Sequence, residues 1–368
     1  MSRSFGHRID SSRCEYAVDA VYGTGGGAVS KRVTLADVAA LAGMSTTAVS
    51  LVLNNRPGSR LSEEAADRIR AAAEELGYRP NPAARSLRMG KTRTVGFLSD
   101  DVTVTRFASA MIRGALDVAD ARGYQVLISE TGHDPAKFKR GLDAVLDRRP
   151  DALIVGLMGA KEIDVPDVVR GRIPVVLVNA STPGPYHCVL PAEFEAGRSV
   201  AHHLVERGHR RICLIGDDPV LRTDKRISAT IGARFDGIET ALAEQGLELT
   251  GTIPRSVWEP EDGYSALEEL LRQGPEATAV IAANDRIAMG IYQAAGDLGL
   301  KIPEDLSVIS FDDEFLATYL RPKLTSARIP YEQMGRRAME LVLSGTPTPG
   351  QTLLEMPLQV RGSVARRD

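Results

Sequence analysis

The sequence predicts an all-α helix-turn-helix head joined to a two-lobed α/β body with parallel sheets, and three observations support this. Between Thr34 and Asn54, two short stretches of helical periodicity flank a glycine turn. From Thr94 onward, short apolar runs rich in β-branched residues alternate with amphipathic helices, the pattern of parallel sheets covered on both faces. The charge is also divided: residues 31–93 carry eleven Lys/Arg against six Asp/Glu, whereas the whole 368-residue chain has a net charge of −3. A basic head on an acidic body directs phosphate attraction to one end.

The head builds up in order. Thr34 is placed to cap a first helix, and the Asp37 carboxylate can reach back to the N–H of Thr34. Leu35, Val38, Ala39 and Ala42 follow at helical spacing, Gly43 ends the helix in the left-handed conformation, and Ser45 caps a second helix running to about Leu53. Val49 and Val52 pack inward, which turns Thr46, Thr47, Ser50 and Leu51 outward, where the first turns of such a helix meet base edges in a major groove. After a loop from Asn54 to Arg60, Ser62 caps a third helix through Ile69, Ala72, Ala73 and Leu76, ending at Gly77. A Pro-introduced helical segment bearing arginines spans Tyr78 to Arg88. A helical hairpin inside a larger core is the plainer reading of the first two helices, and this downstream sequence argues against it.

Residues 33–88 resemble the headpiece and hinge of the LacI/GalR family of bacterial transcription regulators. The sharpest part of the resemblance is Tyr-x-Pro-Asn-x-x-Ala-x-x-Leu, beginning at Tyr78. It implies a headpiece over 31–80 and a hinge helix with linker over 81–93. The DNA-binding residues it implies are Thr34, Ser45, Thr46, Thr47, Ser50, Leu51, Asn54 and Tyr78, with Asn81, Ala84, Arg85, Leu87 and Arg88 in the hinge. The family pattern is a homodimer on a near-palindromic double-stranded operator, with Leu87 as an apolar wedge in the minor groove. Pro82 is compatible with a hinge helix because it lies in the first turn. Leu51 departs from the lactose repressor, which has a basic residue there; an apolar side chain cannot donate to guanine and suits a thymine methyl.

The body follows. Apolar runs at Thr94–Leu98, Gln125–Ile128, Ala152–Val155, Val175–Val178, Arg211–Ile215, Thr278–Ala282 and Ser307–Phe311 read as strands, with helices around 107–122 and 135–148. Ligands of such sheets bind at the carboxyl ends of the strands. Further motifs extend the resemblance: Glu206 to Gly216, Arg234-Phe-Asp-Gly237, Ala283-Asn-Asp-Arg-Ile-Ala-Met-Gly290 and Ser307 to Asp313. The resemblance implies a periplasmic-binding-protein-like effector-binding and dimerisation domain over 94–361. Its N-lobe is expected over about 94–190 and 319–346, its C-lobe over about 191–318 and 347–361, and 362–368 are expected to form a tail. Candidate effector contacts are Arg234, Trp258, Asn284 and Asp312; Asp285, Asp312 and Asp313 stand equally where a helix cap would. Pro191-Ala-Glu-Phe194 departs from the Asp-rich stretch of many relatives, which puts the usual contact from that loop in question.

Other classes fit less well. His202, His203 and His209 lack companions at metal-site spacing, and neither a Gly-x-Ser-x-Gly elbow nor a Walker loop occurs, so no enzyme, metal or cofactor is expected. A free-standing solute receptor would share the body but not the basic head. Three scattered cysteines suit a reducing compartment, and neither a signal-peptide core nor the ~20 apolar residues of a spanning helix is present, which reads as a cytoplasmic, nucleoid-associated protein without membrane contact. Residues 1–30 read as a flexible extension, with Val29 a candidate alternative start; the Gly23–Ala28 run lacks the helix and βαβ setting that a nucleotide fingerprint needs. The expected function is that of a repressor whose operator affinity is controlled by a small molecule, by default a sugar, with a nucleoside or purine co-repressor as the alternative. The absence of terminal leucine heptads favours a dimer.

Overall fold

The computed structural model describes residues 33–54, 61–79, 90–103, 106–274, 276–345 and 347–367. The chain divides into two compact units, one ending at Arg85 and the other beginning at Ser86. In the first, α1 (Leu35–Ala42), α2 (Thr46–Leu53) and α3 (Glu63–Glu75) bury one shared core of Val38, Ala39, Val49, Val52, Ile69, Ala72 and Ala73. The caps are those the sequence signals. Thr34 and Asp37 form a reciprocal capping box, Gly43 is left-handed at φ 65°, and Ser45 and Ser62 accept from the N–H of Ala48 and Ala65. These caps satisfy N–H groups that would otherwise lack partners. The break at Gly43 bends α1 against α2 by 104°, the angle range of a helix-turn-helix.

The second unit runs as β1 (Thr94–Ser99), α4 (Arg106–Ala121), β2 (Gln125–Glu130), α5 (Pro135–Leu146), β3 (Ala152–Glu162), β4 (Val175–Ser181), β5 (His187–Pro191) and α6 (Glu193–Glu206). Then follow β6 (Ile212–Ile215), α7 (Pro219–Thr223), α8 (Ile231–Ala243), β7 (Gly251–Ile253), α9 (Pro260–Gln273), β8 (Ala279–Ala282), α10 (Asp285–Asp297) and β9 (Ser307–Asp312). The unit closes with α11 (Phe315–Tyr319), β10 (Thr325–Arg328), α12 (Tyr331–Leu343), β11 (Gly350–Leu354) and β12 (Leu358–Gln359). Two six-stranded sheets result, ordered β11-β5-β4-β3-β1-β2 and β12-β10-β9-β8-β6-β7. Every pairing is parallel except β10 with β12. The first sheet obeys the two-residue period of strands: Val95 and Phe97 face α4 and α12, while Leu98 joins the core under α5.

The lobe boundaries differ from expectation in two places. Thr325–Arg328, expected in the N-lobe, continues the second sheet beside β9, and Gly350–Leu354, expected in the C-lobe, extends the first sheet along β5. The chain therefore crosses between lobes after Pro191, after Arg328 and after Leu354. Residues 362–367 are not a loose tail. Ser363 is fully buried, its hydroxyl accepting from Thr325 N–H and donating to the Val308 carbonyl, and Arg367 N–H donates to the Arg207 carbonyl. His209 is also fully buried, between Thr278 Oγ1 (3.0 Å) and the Ala365 carbonyl (3.1 Å).

Three helix pairs cross on reciprocal glycines: Gly114 with Gly335 (α4, α12), Gly197 with Gly237 (α6, α8), and Gly263 with Gly290 (α9, α10). At each, an added Cβ would overlap a backbone atom of the facing helix. Elsewhere, β3 bulges after Gly156, stays paired with β4 at Lys161 and Glu162, and there also bonds the other lobe. Glu162 N–H donates to the Lys225 carbonyl at 2.8 Å, and Ala229 N–H donates to the Ala160 carbonyl at 2.7 Å. No single helix among the described residues is long and apolar enough to cross a membrane.

Candidate functional site

On the head, Ser45, Thr46 and Thr47 form an exposed polar row at the start of α2, while Ser50, Leu51 and Asn54 are half-buried farther along. Asn54 is partly committed within the helix, its amide donating to the Ser50 carbonyl at 2.7 Å. The Thr34 hydroxyl and N–H both bond Asp37 Oδ2 at 2.7 Å, so this residue fixes the helix start. Tyr78 packs against the three-helix core. The hinge residues Asn81, Ala84, Arg85, Leu87 and Arg88, like residues 1–32, lie outside the described residues.

In the body, a cavity of about 270 Å³ opens between the lobes. Arg234, at 1% exposure, lies against it. The guanidinium forks onto Glu193, Nε to Oε2 at 2.7 Å and Nη2 to Oε1 at 2.8 Å, and Nη1 donates to the Ala283 carbonyl at 2.6 Å. The α6–α8 crossing makes this pair: Gly197 lies against the Arg234 carbonyl and Gly237 against that of Phe194, so Glu193, one turn before Gly197, meets α8 at close range. Burial opposes the charge on Arg234, but Glu193, followed by Asp312, more than offsets it and raises its pKa. The cation also lies over the Phe311 ring, 4.4 Å from its centroid.

Asp312 ends β9 at φ 97°, a backbone conformation that residues other than glycine rarely adopt, with Oδ1 3.8 Å from Arg234 Nη2. Burial pushes its carboxyl up to about 7; Arg234 opposes this, and Glu193 and Glu314 add to it. Trp258 is also left-handed at φ 62°, its indole N–H donating to the Gly216 and Arg255 carbonyls, both at 2.8 Å, which fixes the ring as a cavity wall.

Asn284 departs from the expected contact set. It caps α10, its Oδ1 accepting from Ile287 N–H at 2.8 Å and its amide donating to the Trp258 carbonyl at 3.3 Å, and it does not line the cavity. A residue just after a strand and just before a helix can serve either end, and here the cap takes the amide oxygen while the Trp258 carbonyl takes the nitrogen. Asp285 is no cap. It is buried as a latch, accepting from the Ser310 and Ser326 hydroxyls and from Glu314 N–H, and its carboxyl is pushed up to about 8 by burial and the nearby Asp312. Asp313 turns away to Arg328 (2.7 Å) and Arg361 (2.5 Å).

Among the cavity residues that sequence reading missed, four shape the site most. Glu193 stood in the divergent Pro191–Phe194 stretch, where its signal was its position four residues before a glycine that faces Arg234. Phe107 and Tyr331 stack at 4.9 Å and come from helices more than 200 residues apart, which no local pattern links. Asn179, left-handed at φ 52°, holds the Leu157 and Met158 carbonyls at the end of β4.

Known proteins share this architecture. Residues 34–81 match the model for bacterial regulatory proteins of the lacI family, and residues 201–364 match that for periplasmic binding protein-like domains. The HTH-type transcriptional regulator GalR of Escherichia coli K12 is 33% identical over 334 residues, covering 89% of this chain and 94% of its own. The ribose operon repressor of the same strain is 30% identical over 331 residues, covering 89% and 96%. The HTH-type transcriptional repressor PurR of Erwinia tasmaniensis is 32% identical over 319 residues, covering 84% and 89%. Among solved structures, the lac repressor dimer bound to operator and the anti-inducer ONPF shares the fold, with a TM-score of 0.76 at 24% identity over 91% of this chain and 100% of that one. The complex of the regulator CelR with cellobiose has a TM-score of 0.61 at 27% identity, covering 90% and 100%. With the head, the two-lobed body and this level of identity along nearly its whole length, the chain belongs to the LacI family of bacterial regulatory proteins.

Proposed function

We propose that the protein is a ligand-controlled transcriptional repressor, acting in the cytoplasm, that binds a near-palindromic operator as a homodimer and responds to a small sugar. The observation that carries the sugar reading is the cavity wall. Asp312 and the unused donors of Arg234 offer an acceptor and donors for hydroxyls, while Trp258 and the Phe107–Tyr331 stack supply flat apolar faces for a ring. A relative named as the ribose operon repressor, and a structural neighbour in complex with cellobiose, support it. On this reading Ser45, Thr46, Thr47, Ser50 and Leu51 face the major groove, and residues 81–88 engage the minor groove. The ligand shifts DNA affinity by about 1 to 3 kcal/mol of coupling.

One observation favours a second reading. The Phe107–Tyr331 stack also suits a flat base, and a purine co-repressor held there would strengthen DNA binding instead. The experiment is fluorescence anisotropy of full-length protein on a DNA fragment it selects from a random pool, titrated with sugars, nucleosides and purines. Release by a sugar is expected; tighter binding with a purine alone would replace the sugar reading with the second.

A further inference from the structure

The cavity is unbalanced in charge. Three charged side chains line it among the described residues: Arg234, Glu193 and Asp312. Glu193 spends the charge of Arg234 inside the protein, through two parallel hydrogen bonds that leave no carboxylate oxygen of Glu193 unengaged. Asp312 is then in surplus, its nearest cationic atom 3.8 Å away, beyond hydrogen-bond reach. The elements around it do not restore the balance. From α10, Arg286 is shared between Glu259 and Glu314, and Asp285 adds a further acid. From β10, Arg328 is the ladder neighbour of Asp312 but pairs with Asp313, which also takes Arg361; α12 brings the phenol of Tyr331 and, on the neighbouring pocket that Asp312 also lines, the acid Glu332. The remaining polar lining is uncharged, including Asn179, Ser228 and Thr230.

Resting on the reading of this cavity as the effector site, we infer that Asp312 acts as a charge filter, so that the site takes uncharged polyol rings and rejects the same rings once they carry a phosphate or carboxylate. A hydroxyl can donate to Asp312 and accept from the free donors of Arg234. An anion meets a guanidinium already neutralised and a carboxylate within a few ångströms, both largely buried, where charges are screened less than at the surface. The filter has a leak set by protonation. Because burial lifts the Asp312 carboxyl to about 7, acid neutralises the filter, and an anionic ring gains affinity as pH falls through that value.

The test is calorimetric titration of the full-length protein with matched probes: D-ribose and ribose 5-phosphate, D-galactose and galactose 1-phosphate, D-glucose with glucose 6-phosphate and gluconate, and hypoxanthine. The neutral sugar that binds is expected to exceed its anionic counterpart by about 100-fold at pH 8, with the ratio shrinking at pH 6. Asp312→Asn is expected to cut the ratio at pH 8 by about tenfold, and the pH comparison on the unaltered protein stands if that variant fails to fold. A phosphorylated or carboxylated sugar binding as tightly as its parent overturns the filter while leaving the sugar reading in place. Binding of hypoxanthine alone overturns the sugar reading, and the filter falls with it.

Discussion

A guanidinium at the depth of Arg234 is sustained by its partners, because an isolated buried charge is far costlier than a paired one. Glu193→Ala is therefore expected to destabilise the body by about 3 to 5 kcal/mol, measured by urea unfolding followed through Trp258, the single tryptophan. A loss below about 1 kcal/mol would mean that Asp312 and the Ala283 carbonyl suffice. Protonation adds a second expectation. Asp285 and Asp312 titrate at about 8 and about 7 in the folded protein, against about 3.9 in an unfolded chain. Between those values the folded state binds more protons, so their contribution is fully present below pH 4 and is lost as pH rises toward 8. The buried ring of His209 resists protonation and works in the opposite sense below its ordinary range, so the informative comparison is between parent and Asp312→Asn. The variant should show a shallower fall in urea midpoint between pH 5 and pH 8; parallel profiles would remove Asp312 from the linkage. At this scale the sequence disclosed residue types but not their partners. Arg234 and Asp312 were legible as polar groups at strand and helix ends, whereas Asn284, equally polar and equally placed, is consumed by a cap.

At the scale of elements, the three glycine crossings are the recurring device. In each, two helices beside a sheet approach until backbone meets backbone, and one of these contacts sets the Glu193–Arg234 distance. Gly237→Ala is expected to force α8 away from the Phe194 carbonyl, lowering stability by about 1 to 3 kcal/mol and weakening the response to ligand together with it. Thermal unfolding with and without the sugar found by titration checks both, and a variant with unchanged melting and unchanged ligand shift would refute the crossing's role. Elements with strong internal signals were legible: the capped headpiece helices and apolar strands such as Val175–Ser181, buried along its whole length. The lobes of Thr325–Arg328 and Gly350–Leu354 are not legible in their sequence. The first is four residues of mixed polarity held beside β9, and the second is a largely exposed edge strand. Ladder neighbours, not their own patterns, place them.

For the molecule as a whole, the basic head, the alternating body and the family motifs made the class readable before any coordinates. The cavity was less readable, because its walls gather from helices, strand ends and loops spread from Phe107 to Tyr331. Long-range packing of that kind leaves no local periodicity. The contact of the bulged end of β3 with the opposite lobe has a consequence for time as well as shape. The amides of Glu162 and Ala229 are bonded only while the lobes stand together, since each acceptor belongs to the other lobe. Their exchange with heavy water therefore counts separations of the two lobes, whereas amides inside the sheets count unfolding. Two backbone protons at this strap thus serve as a natural clock for the opening of the cleft, and any molecule that holds the lobes closed slows it.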